Sequence, residues 1–407
     1  MLTSIFTSPK LNIYNFHKNI FPGSEVMKFE GLALTPPMGW NSFNTFGCEP
    51  NEQLVMEITD AMVSTGLKDM GYTYINIDDG WMTSERDAHG NLIPNPGWFP
   101  NGLKYVTDYI HSKGLKAGIY LGCGLLTYND KPGSLGYEQQ DADLIAAMGF
   151  DLLKYDRRCL PEDPPGRSSK TEYILMSQAL RNTGRPILFS LCEHGGSEPW
   201  TWAAEVGHMW RTTPDIKDCF EGEYTWGWSL NKIIDHTCHL HSYAGPDHWN
   251  DPDMLIVGLH GNPEWQGPGC TDTEYRSHFS LWCLSAAPLL IGCDIRKMDP
   301  ITREILSNPE IIAINQDPLG KQGYRINKEH HTAVWIKPLS GGAWAVGLYN
   351  RDDSPQEITV HWSELGIAPD TKASLRDIWA RKDQGQYSGS YTRDVAPHEC
   401  IVVKIKP

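Results

Sequence analysis

The chain has 407 residues, 40% of them apolar and 21% charged, the composition of a globular protein with room for one large domain and a smaller one. Lys and Arg number 35 against 50 Asp and Glu, and the net charge of −15 repels phosphate backbones and anionic lipid, so neither nucleic acid nor a membrane is an expected partner. No apolar run reaches the roughly 20 residues that a spanning helix needs.

Residues 1–29 open with MLTSIFTSPKLNIYNFHKNIF, in which polar residues interrupt every apolar stretch. The continuous apolar centre of a signal peptide is missing, and the segment is predicted to be a poorly ordered leader ahead of an alternative start at Met27. Ten cysteines are scattered without CxxC spacing, which predicts free thiols and a cytoplasmic, reducing setting.

From residue 30 to 318 a short apolar stretch, a polar loop and a helix-period segment recur. Strands are predicted over 36–43, 74–81, 115–122, 150–156, 186–195, 208–215, 248–255 and 288–295. The segments between them, such as NEQLVMEITDAMVSTGLKDMG and TEYILMSQALRNTG, carry apolar residues at helical spacing and end on glycine. Eight strands alternating with helices predict a (β/α)8 barrel, with a doubly wound sheet as the competing arrangement. Residues 319–407 change character: HTAVWIKPL, GAWAVGLYN, QEITVHWSEL and ECIVVKIKP predict a small C-terminal antiparallel β-sandwich domain.

The barrel strands share one feature. Phe43, Asp78, Asp79, Tyr120, Lys154, Asp156, Glu193, Arg211, Asp215, Asp251, Asp253 and Asp294 all lie at or just past C-terminal ends, which converge on one mouth in a barrel. Strand alternation puts Lys154 and Asp156 on one face and Tyr155 on the other. Several carboxylates in one mouth suit either a hard divalent metal or glycoside hydrolysis. Lys154 and Arg211 offset the field a cation needs, which weighs against the metal at Asp78, Asp79, Asp251 and Asp253. The histidines of DHTCHLHSYAGPDH fall partly on a helix-like segment and read as core or solvated side chains rather than as zinc ligands. A lysine beside Asp156 favours the ionised form that a nucleophile requires, and Asp215 follows a different strand. Because Asp251, Asp253 and Glu193 are also carboxylic, the residues alone leave the pairing open. Fifteen Trp and 17 Tyr suit a core and stacking on sugar faces alike.

The motifs LTPPMGWNSFN, NIDDGW, PGSLGYEQQDA, LLKYD, TGRPILFSLCE, WRTTPDI, AGPDHWNDPDML, AAPLLIGCDIR and AINQDPLGKQG run in order through residues 30–325. Together they resemble glycoside hydrolase family 27, the α-galactosidase and α-N-acetylgalactosaminidase family. The resemblance implies Asp156 as nucleophile and Asp215 as acid/base of a retaining, cofactor-free reaction. It implies a small oligosaccharide as the partner, bound by Phe43, Asp78, Asp79, Tyr120, Lys154, Glu193, Arg211, Asp253 and Met254. It leaves the oligomeric state open, a homo-oligomer included.

Galactose is the sugar implied, because Glu193 in SLCEHG matches residues whose bulk leaves room for a 2-hydroxyl but not an acetamido group. The intact Asp78–Asp79 pair argues against β-L-arabinopyranosides. The alternatives are one of those shifted specificities or a sugar-binding protein on the same scaffold.

The chain departs from the family at several points. Phe43 stands for a tryptophan, Gly80 and Tyr128 for cysteines, and His194 for a tryptophan. DRRC follows the nucleophile strand in place of Asp-Asn-Cys, shifting Cys159 and bringing Arg157 and Arg158 beside Asp156, either as a solvated loop or as a contact for the leaving group.

Overall fold

The computed structural model describes residues 27–157, 168–262, 266–327 and 331–407. Eight parallel strands form one sheet: β1 (Met38–Asn41), β2 (Tyr74–Ile77), β3 (Lys116–Gly122), β4 (Leu152–Asp156), β5 (Leu188–Cys192), β6 (Met209–Arg211), β7 (Trp249–Asp251) and β8 (Leu289–Ile291). The sheet runs β7-β6-β5-β4-β3-β2-β1-β8. Just past β7 the ring closes, where Leu255 bridges Ile291 in parallel and its amide donates to the Leu290 carbonyl at 2.8 Å. The predicted (β/α)8 barrel is the observed one. Each strand is shorter than predicted: β3 and β4 keep their predicted ends at Gly122 and Asp156 and start later, while the last predicted residues of the other six leave the ladder.

The outer layer consists of α1 (Phe43–Phe46), α2 (Glu52–Ser64), α3 (Leu103–Ser112), α4 (Glu138–Met148), α5 (Ser169–Asn182), α6 (Leu230–Thr237), α7 (Asp272–Leu284), α8 (Pro300–Leu306) and α9 (Pro309–Asn315). Local chemistry sets their starts. The side chains of Asn51 and Ser168 cap α2 and α5, and a Thr271–Glu274 capping box opens α7, each satisfying amides that the first helical turn leaves unbonded. None of the described helices is long and apolar enough to cross a membrane.

Strand alternation builds two cores. Outward residues such as Ile75, Ile77, Ile119, Leu153, Tyr155, Phe189 and Leu191 pack against the helices. Inward residues Tyr74, Leu152, Leu188, Met209, Trp249 and Leu290 form a separate apolar plug inside the ring. One layer above the plug, the parallel register sets Tyr120 beside Lys154 and Lys154 beside Ser190. Above that, Gly122, Asp156 and Cys192 are neighbours. The plug is the floor on which the polar mouth stands.

The leader prediction falls mostly on residues 1–26, outside the described residues. Residues 27–29 are a correction, since they are docked against the underside of the barrel. The Met27 amide donates to Glu205 O, Lys28 Nζ to Gly207 O at 3.0 Å and to Asp247 O, and the Phe29 carbonyl lies 2.6 Å from His208 Nε2. Lys28 is drawn in because two carbonyls accept from its ammonium and the carboxylates of Asp247, Glu30 and Glu205 attract it, although burial lowers its pKa to about 8.

Beyond the barrel, β9 (Tyr324–Arg325), β10 (Thr332–Pro338), β11 (Trp344–Asn350), β13 (Ala373–Asp377), β14 (Lys382–Tyr387) and β16 (Cys400–Lys406) form an antiparallel sheet. A hairpin-like pair of β12 (Gln356–His361) and β15 (Ser390–Val395) packs across it, with Val334, Ile336, Val346 and Leu348 facing Ile358, Val360, Tyr391 and Val395. The β layer is tied to the barrel by Tyr349 Oη donating to Asn231 Oδ1 at 2.6 Å, by Arg351 against Asp235 and by Arg376 against Glu310. Tyr349→Phe leaves a buried amide oxygen unpaired, at about 1–3 kcal/mol. The expected outcome is a melting temperature lowered by several degrees with kcat/KM unchanged, and an unaltered melting temperature would contradict this role for the contact.

Candidate active site

The mouth is assembled strand by strand. At the end of β1, Asn41 Nδ2 donates to Asp78 Oδ2 at 2.7 Å, and Lys154 Nζ on β4 reaches the same oxygen at 2.8 Å. The ammonium lies 5.8 Å from the centre of the Phe43 ring and 5.6 Å from that of Tyr120, close enough for the ring faces to attract it. Burial opposes the lysine charge but the Asp78 carboxylate overrides it, and the pKa ends well above the ordinary lysine value. Asp79, next in sequence, takes different partners. Its oxygens accept from the amides of Gly80 at 2.7 Å and Asn129 at 2.8 Å.

Gly80 explains one departure from the family pattern. Its φ is +97°, and a Cβ there would stand 2.1 Å from the Cys48 carbonyl. The loop bearing Cys48 packs directly on this glycine, and Cys48 is a free thiol.

Tyr120 Oη donates to Asp156 Oδ2 at 3.0 Å, and Trp81 Nε1 anchors the Tyr120 carbonyl at 2.9 Å. On the far side of Asp156, the loop after β5 bends back through His194 (φ +65°) and Gly195 (φ +79°). A Cβ on Gly195 would meet the Thr212 carbonyl at 2.2 Å, so only glycine permits this approach. The bend sets His194 Nε2 at 3.7 Å from Asp156 Oδ1 and 3.2 Å from Cys192 Sγ.

Arg211 closes the third side. Its Nη2 lies 3.1 Å from Asp215 Oδ1 and 3.0 Å from Asp253 Oδ2. Asp253 also accepts from the Ile216 amide at 2.8 Å and holds φ at +87°, a strained backbone of the kind found at functional sites. Burial works to raise Asp215, but the positive charges of Arg211, His194 and Lys154 outweigh it and hold the carboxyl well below the usual range. With 52% of its side chain exposed, Asp215 faces the opening, and solvent screens part of that pull. Asp251 shows the reverse balance: burial pushes it up to about 6 despite Arg211.

A cavity descends from the mouth between Asn41, Asn76, Lys154, Cys192, Arg211 and Asp253, floored by Met254 and Leu290. Asn76 Oδ1 and Arg211 Nε on its wall have no hydrogen-bond partner among the described residues, polar capacity that water or a hydroxyl would satisfy.

Of the residues predicted for the site, Phe43, Asp78, Asp79, Tyr120, Lys154, Asp156, Arg211, Asp215, Asp253 and Met254 gather around this mouth. Glu193 does not and is a correction: none of its side chain is accessible. Strand alternation turns it away from Cys192 to the back of the loop, where its oxygens accept from the Ser197 amide and from Arg157 Nη1, each at 3.1 Å. Arg157 is therefore a partner of Glu193. Arg158 and Cys159 lie outside the described residues. Asp294 is likewise held by Arg296 at 2.8 Å.

Asn41, Ser190 and Cys192 were not singled out from sequence. The signal was present, since Asn41 stands two residues before Phe43 and Cys192 two past Ser190, the step that keeps a strand side chain on one face. The histidines of the 235–248 run do not converge. His236 packs between Trp200 and Trp228, His241 on Tyr324 and His248 on Trp210.

A ring of parallel strands whose C-terminal mouth carries paired carboxylates, the cations Lys154 and Arg211 and a polar cleft is the arrangement of a sugar-cleaving barrel. Residues 35–317 match the alpha galactosidase A family and residues 329–405 its C-terminal beta sandwich domain, and the chain belongs to this melibiase family, glycoside hydrolase family 27. It is similar to the alpha-galactosidase of Cyamopsis tetragonoloba, 47% identical across 93% of this chain and 87% of that one. It is also 39% identical to the alpha-N-acetylgalactosaminidase of Gallus gallus, across 86% and 88%. The crystal structure of alpha-galactosidase I from Mortierella vinacea superposes with a TM-score of 0.88 at 35% identity, covering 92% of this chain and 98% of that one.

Asp79 supplies a test of the electrostatics. Burial pushes its pKa from 3.8 up to about 6, so between those values the folded protein holds more protons than the unfolded chain. Stability is greatest below the lower value and is lost as pH rises through the upper one, by up to about 3 kcal/mol. Thermal melts of wild type and Asp79→Asn across this window are expected to converge at acid pH and to favour the variant near neutrality. A constant difference would contradict the raised pKa.

Proposed function

We propose that this protein is a retaining exo-α-galactosidase that removes terminal α-D-galactosyl residues from small oligosaccharides. One observation carries the reading: Asp156 and Asp215 stand at the same mouth in opposite environments. Asp156 is nine-tenths buried and takes a hydrogen bond from Tyr120, while Asp215 faces the opening beside Arg211. The inner carboxylate attacks the anomeric carbon, and the outer one protonates the leaving oxygen, which must exit toward solvent. Water, deprotonated by Asp215, then resolves the glycosyl-enzyme with net retention. The relatives named as alpha-galactosidases support this assignment.

The chain's own residues divide the remaining work. Asp78, Lys154 and Asn41 form a donor–acceptor set suited to hydroxyls on the face away from the leaving group, and Phe43 offers its ring to the sugar's apolar face. Asp253 and Arg211 meet hydroxyls nearer the acid. In the free enzyme Asp215 is held ionised. A bound sugar that excludes water strengthens its repulsion from Asp156 and draws a proton onto it. Galactose over N-acetylgalactosamine now rests on the space beside Cys192 and His194, since Glu193 stands behind the loop. The free thiols among the described cysteines support action in a reducing, cytoplasmic setting.

Asp156→Asn is expected to lower hydrolysis of p-nitrophenyl α-D-galactopyranoside by about 10⁴-fold or more with the fold intact by circular dichroism. Parallel assays on the β-L-arabinopyranoside and α-N-acetylgalactosaminide should run far slower in wild type. Asp215→Ala is expected to lose about 10²–10⁴-fold on galactosides with poor leaving groups and much less on dinitrophenyl galactoside. Equal losses on both would remove Asp215 from the acid role. Wild-type kcat, which reports the sugar-bound enzyme, should fall as pH rises toward and beyond neutrality, because the acid must carry a proton in that complex, and a rise would oppose the assignment.

A further inference from the structure

Cys192, His194 and Asp156 form a cluster that hydrolysis does not fully employ. One Asp156 oxygen, Cys192 Sγ and a ring nitrogen of His194 lie within 4.8 Å of one another. The sulfur–nitrogen separation is 3.2 Å and the nitrogen–oxygen separation 3.7 Å. Zinc bonds of about 2.3 Å to sulfur and 2.0–2.2 Å to nitrogen and oxygen, in a tetrahedron, put neighbouring ligands roughly 3.3–3.7 Å apart. The nitrogen–oxygen edge lies in that range and the sulfur–nitrogen edge just below it, and the third, at most 4.8 Å, closes with a shift of about 1 Å.

We infer that Asp156, Cys192 and His194 bind a borderline-soft divalent cation of the zinc class, which reversibly blocks the nucleophile and competes with the sugar. Three protein ligands leave the fourth position to water, the arrangement of an open zinc site. The donor set, one thiolate, one imidazole and one carboxylate, selects against hard ions such as magnesium.

Binding forms metal–sulfur, metal–nitrogen and metal–oxygen bonds. It breaks the Cys192 S–H bond and releases that proton to water. His194 binds through the Nε2 lone pair, with its proton on Nδ1, and Asp156 binds as the carboxylate. Thiolate and carboxylate together balance the ion's double charge. Burial and the Asp156 carboxylate hold the Cys192 thiol well above its ordinary pKa, and Lys154 and Arg211, whose Nη1 lies 3.9 Å from Cys192 Sγ, offset only part of this and also repel the ion. The expected binding is therefore weak and reversible, unlike a structural zinc. The geometry depends on the left-handed turn at His194 and Gly195, which aims the imidazole at the other two ligands.

The test uses the tag-free, chelator-treated full chain. Zinc is expected to raise KM for the aryl galactoside with kcat unchanged, to be reversed by EDTA and to have no counterpart with magnesium. Cys192→Ser and His194→Gln should each weaken zinc inhibition at least tenfold. Cobalt(II) added to wild type should give a sulfur-to-cobalt charge-transfer band that Cys192→Ser lacks and galactose diminishes. The cobalt readout needs no hydrolysis, so its outcome stands apart from the proposed activity. Zinc inhibition equal in wild type and both variants, or cobalt spectra without the sulfur band, would overturn the site.

Discussion

The mouth of this barrel gathers Asp78, Asp79, Asp156, Asp215, Asp251 and Asp253 at the strand ends in partly desolvated space, and the cations Lys154 and Arg211 make that gathering sustainable. Each cation meets a carboxylate from another strand: Lys154 on β4 reaches Asp78 past β2, and Arg211 on β6 reaches Asp253 past β7, as well as Asp215 in its own loop. Removing one partner of such a pair leaves an uncompensated buried charge, usually worth several kcal/mol. The cations therefore hold the ring of strand ends together electrostatically as well as through backbone ladders. They also set which carboxylates stay ionised, because burial raises Asp79 and Asp251 while Arg211 and its neighbours hold Asp215 down.

Beneath the charges lies the apolar plug of Tyr74, Leu152, Leu188, Met209, Trp249 and Leu290. It fills the ring's interior with side chains from alternate strands, as barrel packing requires, and stops water entering from below. Above it the inward residues turn polar, and Gly122, opposite Asp156 in register, lets the loop at Leu126 and Thr127 close in, where a Cβ would meet Thr127 at 3.3 Å. The loops complete the site through backbone conformations that are costly elsewhere. His194 and Asp253 both sit at positive φ; the turn at His194 goes with the packing of Gly195 on the Thr212 carbonyl, and Asp253 accepts from the Ile216 amide. Glu193 contributes from behind, since its carboxylate fixes Ser197 and Arg157 and so the loop that presents His194.

The β layer after the barrel plays a supporting part. Its ties run to α6, α7 and α9 through Tyr349, Trp379 and Arg376, on the helical side of the barrel. It covers helix faces that would otherwise expose apolar surface and supplies no residue to the described mouth.

Much of this was legible in the chain. Eight apolar stretches alternating with helical periodicity determined parallel strands with crossover helices between them, and the closure of Leu255 onto Leu290 and Ile291 decided for the barrel over a doubly wound sheet. The period-2 rule placed Lys154 and Asp156 together on the inner face, where the structure has them. What the sequence left open was decided by loops, whose direction follows no periodicity. The turn after β5 brings His194 to Asp156 and turns Glu193 behind the strand end, the reverse of the expectation for Glu193. Arg211 reaching Asp253, 42 positions along the chain, and Lys28 held beneath the barrel depend on which strand ends become neighbours when the ring closes. A linear pattern specifies faces and spacing, but contacts between charges on different strands exist only once closure fixes their distance.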